Sequence, residues 1–200
     1  MPAPPLILAS ASPIRAELLR RAGLAFTVES AAIDEAEIKA AFRAETRNPA
    51  DCAAALAEAK ATRIARRHPE ALVIGADQML VCDGAWFGKP ESRAATSDQL
   101  RALRGRRHEL VTAACVCRGG QCLWHIVERP SLTMRDFSET FLADYLARGG
   151  DDLLGSVGAY RLEERGIQLF ARIEGDYFAI LGLPLLPLLT FLRGHGVLEQ

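Results

Sequence analysis

The stretch "LILASASPIRAELLRRAG", residues 6–23, joins a short apolar run to a helical pattern through a serine-rich turn. Ser12 is a favourable N-cap, Pro13 is a preferred first helical residue, and Gly23 stands where a left-handed C-terminal cap is expected. The segment therefore predicts a strand, a tight turn and a helix. The predicted core-facing stripe of that helix consists of Ile14, Leu18, Leu19 and Ala22.

The turn before this helix collects groups that bind anions. The N-terminus of a helix offers unpaired N–H groups and the positive end of the helix dipole. Ser10 and Ser12 add hydroxyls, and Arg15 adds a fork of donors in the first turn. This combination predicts a phosphate site. An ordinary capped helix with a surface arginine explains the same segment, and these residues alone leave both interpretations open.

Composition narrows the class of protein. Two hundred residues, half of them apolar, suit one domain over residues 1–200, which could form two lobes around a cleft. Twenty-four basic residues face 25 acidic ones, so no overall field recruits nucleic acid or a membrane, and the basic segment Arg101–Arg107 is local. Neither a membrane-spanning run nor a signal peptide is recognisable. We therefore expect a cytoplasmic protein that binds neither nucleic acid nor membrane.

The five cysteines do not suggest a disulfide framework, because their number is odd and no secretory signal accompanies them. Cys115 and Cys117 share one face of a predicted strand. A zinc site would need further ligands at suitable spacing, and only His125 is close. The pattern favours small buried apolar side chains over a metal site.

Helices and strands alternate along the rest of the chain. The predicted strands are Leu6–Ala9, Leu72–Cys82, Leu110–Cys117, Leu123–Val127, Ile167–Ile173 and Tyr177–Leu181. The predicted helices are Pro13–Ala22, Pro49–Arg67, Ala94–Arg104, Glu139–Arg148 and Pro184–Leu192. "CDGA" at 82–85 predicts a tight hairpin turn, and "EGD" at 174–176 suggests another. The class is α/β with a mixed sheet.

Two charged residues interrupt apolar patterns. Lys60 lies on the apolar stripe of the helix that Asn48 caps, and either extends to solvent or holds an anion. Asp77 lies inside the apolar run "ALVIGADQMLVC", where Gly75 allows a close backbone approach or a bulge. A buried carboxylate at a strand break predicts a general base or a metal ligand. A structural carboxylate bound to loop amides is the alternative.

Other charged residues cluster in predicted loops. The hairpin at Asp83–Gly84 returns Lys89 toward Asp77. Asp34 and Glu35, in a predicted loop, could hold a divalent cation or simply be solvated. The segment at 158–184 is a further candidate for lining a site. Its charged residues are Arg161, Glu163 and Glu164.

Taken together, these stretches resemble the Maf-like nucleotide pyrophosphatase family over nearly the whole chain. The matching pieces, in order, are "LILASASPIRAELL", "IDE", "EAK", "IGADQML", "GKP", "LRGRRHELVTA" and "VGAY…RGIQLF…IEGDYFAILGLP". The resemblance implies an elongated α/β fold around a mixed twisted sheet, with the active site in a cleft. It also implies hydrolysis of a nucleoside triphosphate between its α- and β-phosphates, a divalent cation such as Mg²⁺ or Mn²⁺, and a homodimer.

The family motifs fall on named residues of this chain. The resemblance implies that Asp77 is the catalytic base and a metal ligand, with Glu35 as a second ligand. It assigns substrate binding to Ser10, Ser12, Arg15, Lys60, Gln78, Lys89, Arg161 and Glu163. The alternative is a nucleotide-binding regulator of cell division without turnover. The isolated carboxylate of Asp77 favours the enzyme, because binding alone does not need it.

Three departures from common family patterns bear on the substrate. Ile14 stands where many members carry a second arginine. Gln78, Arg161 and Glu163 look more like the branch that acts on 7-methyl-GTP than like dTTP and UTP enzymes. These residues predict a purine or modified nucleotide. Ser156 replaces a lysine that often precedes "AGAY", and the residues give no consequence for it.

Overall fold

The structure is a computed structural model that describes residues 3–45 and 48–199. Its strands are β1 (Leu6–Leu8), β2 (Thr27–Val28), β3 (Leu72–Cys82), β4 (Ala85–Phe87), β5 (Arg107–Arg118), β6 (Gln121–Glu128), β7 (Ser131–Met134) and β8 (Phe170–Glu174). Its helices are α1 (Pro13–Arg21), α2 (Glu35–Glu45), α3 (Pro49–Ala65), α4 (Arg93–Leu103), α5 (Glu139–Gly149), α6 (Tyr177–Ile180) and α7 (Leu185–Gly194). Gly150–Gly155 and Arg165–Leu169 form 3₁₀ turns.

Within the described residues, one mixed sheet has the strand order β2-β1-β3-β5-β7-β8, with β4 beside β3 and β6 beside β5. β1 pairs in parallel with β2 and β3, whereas β4 pairs antiparallel with β3, β6 and β7 with β5, and β8 with β7. Parallel pairing requires a long crossover, which α1, α2 and α3 supply between β1 and β3. The predicted α/β class with a mixed sheet is confirmed.

The described residues form two compact units. The first takes in the chain up to Gln78, Thr112–Glu128 and the chain from Asp176 onward. Its core lies where α1 and α3 pack on β1 and the first half of β3. The buried side chains there include Leu8, Leu19, Leu56, Ile64 and Ile74. The first half of β3 is buried on both faces, which explains its unbroken apolar sequence.

The second unit consists of Met79–Val111 and Arg129–Gly175. Here β5 changes partner, because Arg107–Glu109 pair with β7 whereas its later residues pair with β6 in the first unit. α4 and α5 are joined at the surface by Glu139, which accepts hydrogen bonds from Arg101 and Arg104. Two arginines of the basic segment 101–107 therefore form ion pairs within this unit.

Several predicted elements agree with the structure. β3 has the predicted bounds, and the Asp83–Gly84 turn joins it to β4 with positive φ angles of 48° and 78°. Asn48 caps α3 by accepting a hydrogen bond from the Ala50 N–H. The N–H of Gly23 bonds to the Arg20 carbonyl in the expected C-terminal cap of α1. No described helix is both long and apolar enough to cross a bilayer.

Other predictions are wrong for local reasons. Tyr177–Leu181 is not a strand, because the Asp176 side chain accepts the Ala179 N–H and starts α6. "EGD" consequently ends β8 and caps a helix instead of closing a hairpin. Residues 32–37 are not all loop, since α2 begins at Glu35, and β8 begins at Phe170 rather than at Ile167. The short strands β2 and β7 lack a distinctive pattern in the sequence.

Candidate active site

The turn between β1 and α1 is organised by the hydroxyl of Ser10. Ser10 is buried, and its Oγ accepts hydrogen bonds from the Ser12 N–H at 3.2 Å and from Arg15 Nη1 at 3.1 Å. Ser12 occupies the N-cap position in extended conformation. Its hydroxyl makes no capping hydrogen bond to a residue in the described chain. The turn thus presents a hydroxyl beside the N–H groups of the first helical turn.

Arg15 is buried rather than on the surface, with 9% of its area exposed. Its Nε donates to the Gly182 carbonyl at 2.7 Å, and its Nη1 donates to the Ala76 carbonyl at 2.8 Å. Burial lowers the pKa of Arg15, while the charges of Asp77 and Glu35 act in the opposite direction. The interpretation of Arg15 as a surface residue is wrong, as is the placement of Ile14 and Ala22 in a fully buried stripe.

Lys60 joins two carboxylates inside the first unit. Its Nζ lies 2.6 Å from Asp77 Oδ1 and 2.7 Å from Glu35 Oε1. Lys60 is 9% exposed and Asp77 is 5% exposed, whereas the Glu35 side chain is 42% exposed. The ammonium group therefore lies inside, between the two acids, and does not extend to solvent. We call Glu35, Lys60 and Asp77 the acid–lysine–acid cluster.

One oxygen of Asp77 remains without a partner. Lys60 holds Oδ1, but the buried Oδ2 has no hydrogen-bond partner among the residues that the structure describes. An unpaired buried carboxylate oxygen is costly unless it has a function. Asp77 lies in the middle of the continuous strand β3, so the predicted strand break is wrong, and no described loop amide binds its carboxylate.

Gly75 sets the distance between α3 and β3. A Cβ atom at this position would lie 2.1 Å from the Ala57 carbonyl oxygen and 2.9 Å from the Ala61 Cβ. The helix backbone therefore approaches the strand more closely than any larger side chain would permit. This approach places Lys60, on α3, within contact distance of Asp77, on β3. The predicted close approach at Gly75 is confirmed.

The cluster keeps Glu35 ionised. Burial raises the pKa of Glu35, but the hydrogen bond and charge of Lys60, helped by Lys39, outweigh it and lower the pKa to about 2. Glu35 also lies in the first turn of α2, where a negative charge is stabilised by the helix dipole. Asp34 supports that turn by accepting a hydrogen bond from the Glu37 N–H at 3.0 Å. Asp34 thus caps α2.

The donor atoms of the cluster fit a hard divalent cation. Carboxylate oxygens are the ligands that Mg²⁺ and Mn²⁺ prefer, and Asp77 Oδ2 is an oxygen left unused in the described chain. The half-exposed carboxylate of Glu35 offers a second oxygen that solvent can reach. Mg²⁺ commonly uses one or two carboxylates and completes its shell with water and substrate phosphates.

Gln78 is engaged by the chain itself. Its Nε2 lies 2.9 Å from Thr112 Oγ1 and 3.0 Å from each of the Ala179 and Ile180 carbonyl oxygens. Thr112 is fully buried and also donates to the Ala179 carbonyl. Sequence reasoning missed Thr112, although a lone threonine inside the apolar run "LVTAACVC" was a usable signal. Through these contacts β3 and β5 hold the end of α6.

Three predicted site residues lie in the second unit: Lys89, Arg161 and Glu163. Lys89 lies past the end of β4, so the regular pairing of the hairpin stops before it. Arg161 contacts Glu164 at 3.0 Å and Glu163 at 3.6 Å. The other seven predicted site residues lie in the first unit. These are Ser10, Ser12, Arg15, Glu35, Lys60, Asp77 and Gln78.

The fold and this arrangement define an α/β protein in which an acid–lysine–acid cluster is linked to a serine- and arginine-bearing helix N-terminus by the hydrogen bond from Arg15 to the Ala76 carbonyl. Its sequence matches the family described as Maf-like protein over residues 5–195. The chain belongs to this Maf-like family.

Curated relatives match over nearly the full length of both chains. One from Granulibacter bethesdensis, named nucleoside triphosphate pyrophosphatase, is 56% identical over 96% of this chain and 98% of its own. A relative of the same name from Paramagnetospirillum magneticum is 55% identical over 96% of this chain and 99% of its own. A relative from Rhizobium meliloti, named 7-methyl-GTP pyrophosphatase, is 48% identical over 98% of each chain.

Proposed function

We propose that this protein is a nucleoside triphosphate pyrophosphatase. It hydrolyses the anhydride between the α- and β-phosphates and releases a nucleoside monophosphate and pyrophosphate. Family membership and the names of the near full-length relatives support this activity. The observation that carries the proposal is the unpaired, buried Oδ2 of Asp77, whose Oδ1 is held by Lys60 and whose preceding residue, Ala76, is bound by Arg15 from the first turn of α1.

The first turn of α1 and its flanking serines form the phosphate-binding part of the proposal. The Ser12 hydroxyl and the helix N-terminal N–H groups donate to phosphate oxygens. Arg15 contributes positive charge to this part of the site. Two of its nitrogens are already bound to the Gly182 and Ala76 carbonyls. That double attachment also fixes the position of Ala76, the residue before Asp77. The same arginine thus supports the phosphate turn and the catalytic strand.

Asp77 is the proposed general base. A water molecule bound at Oδ2 gives its proton to the carboxylate, and its oxygen forms a bond to the α-phosphorus of the nucleotide. The bridging P–O bond breaks, and pyrophosphate leaves with the bonding electron pair. Lys60 holds Oδ1, so the carboxylate keeps one orientation and turns Oδ2 toward the water. Its positive charge also offsets the negative charge around the reacting phosphates.

Glu35 and Asp77 are the proposed ligands of a divalent cation, Mg²⁺ or Mn²⁺. The cation neutralises phosphate charge and fixes the alignment of water and leaving group when it is bound. Glu35 stays ionised across the physiological range, because its pKa is lowered to about 2. Glu35 can therefore offer its carboxylate oxygens without first losing a proton. The roles predicted for Lys89, Arg161 and Glu163 rest on the family resemblance, and this proposal does not depend on them.

The test is pyrophosphate release from nucleoside triphosphates with and without Mn²⁺, for wild type and for Asp77→Asn. We expect metal-dependent release by wild type and a loss of about 100-fold or more in kcat for the variant. Asp98→Asn is the matched control, since that side chain is 79% exposed on α4. It should behave as wild type.

Nucleotide binding to the same proteins separates the two functions considered. Retained binding by Asp77→Asn with lost turnover supports the enzyme. Binding by wild type without any release of pyrophosphate, over a broad panel of nucleotides, would instead support the regulator. Comparable turnover by wild type and Asp77→Asn would remove Asp77 from the mechanism.

A second part of the proposal concerns the base. We propose a preference for purine or 7-methylated purine triphosphates, because Gln78 stands where dTTP and UTP enzymes carry threonine and one relative is named 7-methyl-GTP pyrophosphatase. Since Nε2 of Gln78 is held by Thr112 and α6, its free contact with a base is through Oε1. We expect kcat/KM for 7-methyl-GTP or GTP to exceed that for UTP by roughly 10-fold or more. Equal values would contradict this preference.

Two further predictions complete the proposal, a homodimer from the family resemblance and a cytoplasmic location from the sequence pattern. The protein is a homodimer, which light scattering after size-exclusion chromatography tests directly. It acts in the cytoplasm, where nucleotide triphosphates are available, and fractionation of the source cells tests that location.

A further inference from the structure

A cluster of three thiols lies in the first unit on strands β5 and β6. The Sγ atoms of Cys115, Cys117 and Cys122 all lie within 4.8 Å of one another. Cys117 and Cys122 are direct partners in the antiparallel pairing of these strands, and Cys115 lies two residues before Cys117 on β5. All three are free thiols. We call them the thiol cluster.

The spacing of these sulfur atoms suits a single metal ion. Thiolate ligands bind Zn²⁺ at about 2.3 Å, which places three of them about 4 Å apart. The observed separations therefore require shifts of less than about 1 Å. Ordinary core packing explains one buried cysteine, but it gives no reason for three sulfur atoms to converge. The pairing of β5 with β6, which shifts register between Val116 and Cys117, already brings the sulfur atoms together, so most of the ligand geometry exists before an ion arrives.

The surroundings of the thiol cluster favour a cation. Cys115 and Cys117 are buried, whereas Cys122 is half-buried and provides a path from solvent. The negative charge of Glu58, on α3, acts on both Cys117 and Cys122. Thr62, one turn further along α3, places its Oγ1 3.8 Å from Cys117 Sγ. A positive ion among the three sulfurs would relieve the repulsion that ionised thiols experience from one another and from Glu58.

We propose that Cys115, Cys117 and Cys122 form a binding site for a soft d¹⁰ metal ion, with Zn²⁺ or Cu⁺ as the class of ligand. Each thiol that coordinates the ion releases its proton to solvent. For Zn²⁺, solvent or the carboxylate of Glu58 completes a four-coordinate shell, whereas Cu⁺ needs only the three sulfurs. The bound ion links the two strands and stabilises the first unit. This site shares no residue with the acid–lysine–acid cluster and does not depend on the proposed pyrophosphatase activity.

The experiment uses the full chain, reduced with a phosphine and freed of metal. Zn²⁺ and Cu⁺ are titrated separately against competing chromophoric chelators, and Co²⁺ is added as a spectroscopic probe. We expect one equivalent to bind and sulfur-to-cobalt charge-transfer bands to appear. The midpoint of thermal unfolding should rise by about 5–10 °C when the free metal concentration is about a hundred times Kd. Of Zn²⁺ and Cu⁺, the ion with the lower Kd is the preferred metal.

Cys122→Ser is the main variant, because the half-buried position tolerates the change, and Cys115→Ala is a second that keeps a small apolar side chain in the core. Each should weaken binding by at least about 100-fold and abolish the cobalt bands. Cys82→Ala is the matched control, since that thiol is buried in the second unit outside the thiol cluster. It should bind as wild type does.

Two results would overturn the inference. One is failure of the reduced wild type to bind any of these ions more tightly than the Cys122→Ser variant does. The other is a disulfide bond between Cys117 and Cys122 in protein isolated without reductant, seen as the loss of two titratable thiols, together with no gain of metal affinity when that bond is reduced. Pyrophosphate release is measured alongside as an independent readout. If wild type binds the metal but releases no pyrophosphate, the proposed function is wrong and the thiol site is still supported.

Discussion

Two buried polar centres, one in each unit, show opposite ways of keeping ionisable groups inside a protein. In the first unit, Lys60 lies between two carboxylates, and charge is balanced by charge. In the second unit, His108 is 1% exposed, and its Nε2 lies 2.9 Å from the hydroxyl of Tyr160. Burial lowers the pKa of His108 to about 4, and burial also raises the pKa of Tyr160. The second centre is therefore neutral at pH 7.

Burial alone therefore does not decide whether an ionisable group carries a charge. A buried group surrounded by rings and a hydroxyl loses its charge, as His108 does between Tyr160 and Phe170. A buried group placed against an opposite charge keeps it, and its unused lone pairs become available for chemistry. Both centres leave one buried atom unpaired in the described chain, Asp77 Oδ2 and His108 Nδ1. Only the first of these atoms belongs to a charged group.

The largest expected effect comes from breaking the charge balance of the first centre. Lys60→Met leaves Asp77 without the ammonium group at 2.6 Å and removes the cation that lies between the carboxylates of Asp77 and Glu35. We expect a loss of about 3–5 kcal/mol in the free energy of unfolding, measured with urea at pH 7. The double variant Lys60→Met/Asp77→Asn should recover a large part of that loss. No recovery would mean that packing, not charge, explains the cost.

The second centre should show its effect through pH. Because the pKa of His108 is lowered from 6.5 to about 4, the unfolded chain binds a proton in this range that the folded chain does not. Stability should therefore fall as pH drops from 6.5 toward 4, by up to about 3 kcal/mol from this group. His108→Gln should flatten that part of the profile in urea unfolding. His125→Gln, at an exposed position on β6, is the control and should leave the slope unchanged.

The geometry of the first centre can be disturbed without touching its charges. Gly75→Ala would push a methyl group into the Ala57 carbonyl and move α3 away from β3. We expect a loss of about 1–3 kcal/mol in stability, together with reduced pyrophosphate release as Lys60 shifts from Asp77. Gly194→Ala serves as the control, because a Cβ there meets nothing within 4 Å. Normal activity in Gly75→Ala would show that the contact between Lys60 and Asp77 does not require the close approach of α3 to β3.

The smallest expected effect is at the exposed end of the acid–lysine–acid cluster. Glu35→Gln should cost less than about 1 kcal/mol at pH 7, because water screens a side chain that is 42% exposed. The folded pKa of about 2 lies below the model-peptide value of 4.5, so this contribution is complete above pH 4.5 and disappears as pH falls toward 2. The difference between wild type and variant should shrink over that window in urea unfolding. A constant difference would contradict the ionic origin.

The sequence allowed much of the first centre to be predicted but not its internal contacts. Ser10, Ser12, Lys60 and Asp77 stood out because each interrupts or ends an apolar pattern. Arg15 was identified as a phosphate ligand, yet its attachment to the Gly182 carbonyl joins residues 167 positions apart. No local pattern reports such a contact. The second centre was not predicted at all, since His108 lies in a segment dominated by arginines.

The secondary structure failed where one side chain outweighed propensity. β-forming residues at Tyr177–Leu181 predicted a strand, but the Asp176 cap and the contacts of the Ala179 and Ile180 carbonyls with Gln78 favour a helical turn. Similarly, β2 is only two residues long and exists because it pairs with β1. Short elements gain their stability from tertiary partners, and a sequence window does not contain those partners.

The amino-acid sequence by itself determined the α/β class, the strand–turn–helix unit at residues 6–23, the hairpin at Asp83–Gly84 and the identity of the charged residues that apolar segments enclose. Those features follow from hydrophobic periodicity, caps and turn chemistry, which act over a few neighbouring residues. The fold places Lys60 between Glu35 and Asp77, attaches Arg15 to the residue before Asp77, and brings three thiols together. The physical reason is that the energy of a buried charge or ligand depends on groups brought near it by the fold, and their sequence separation carries no information about that distance.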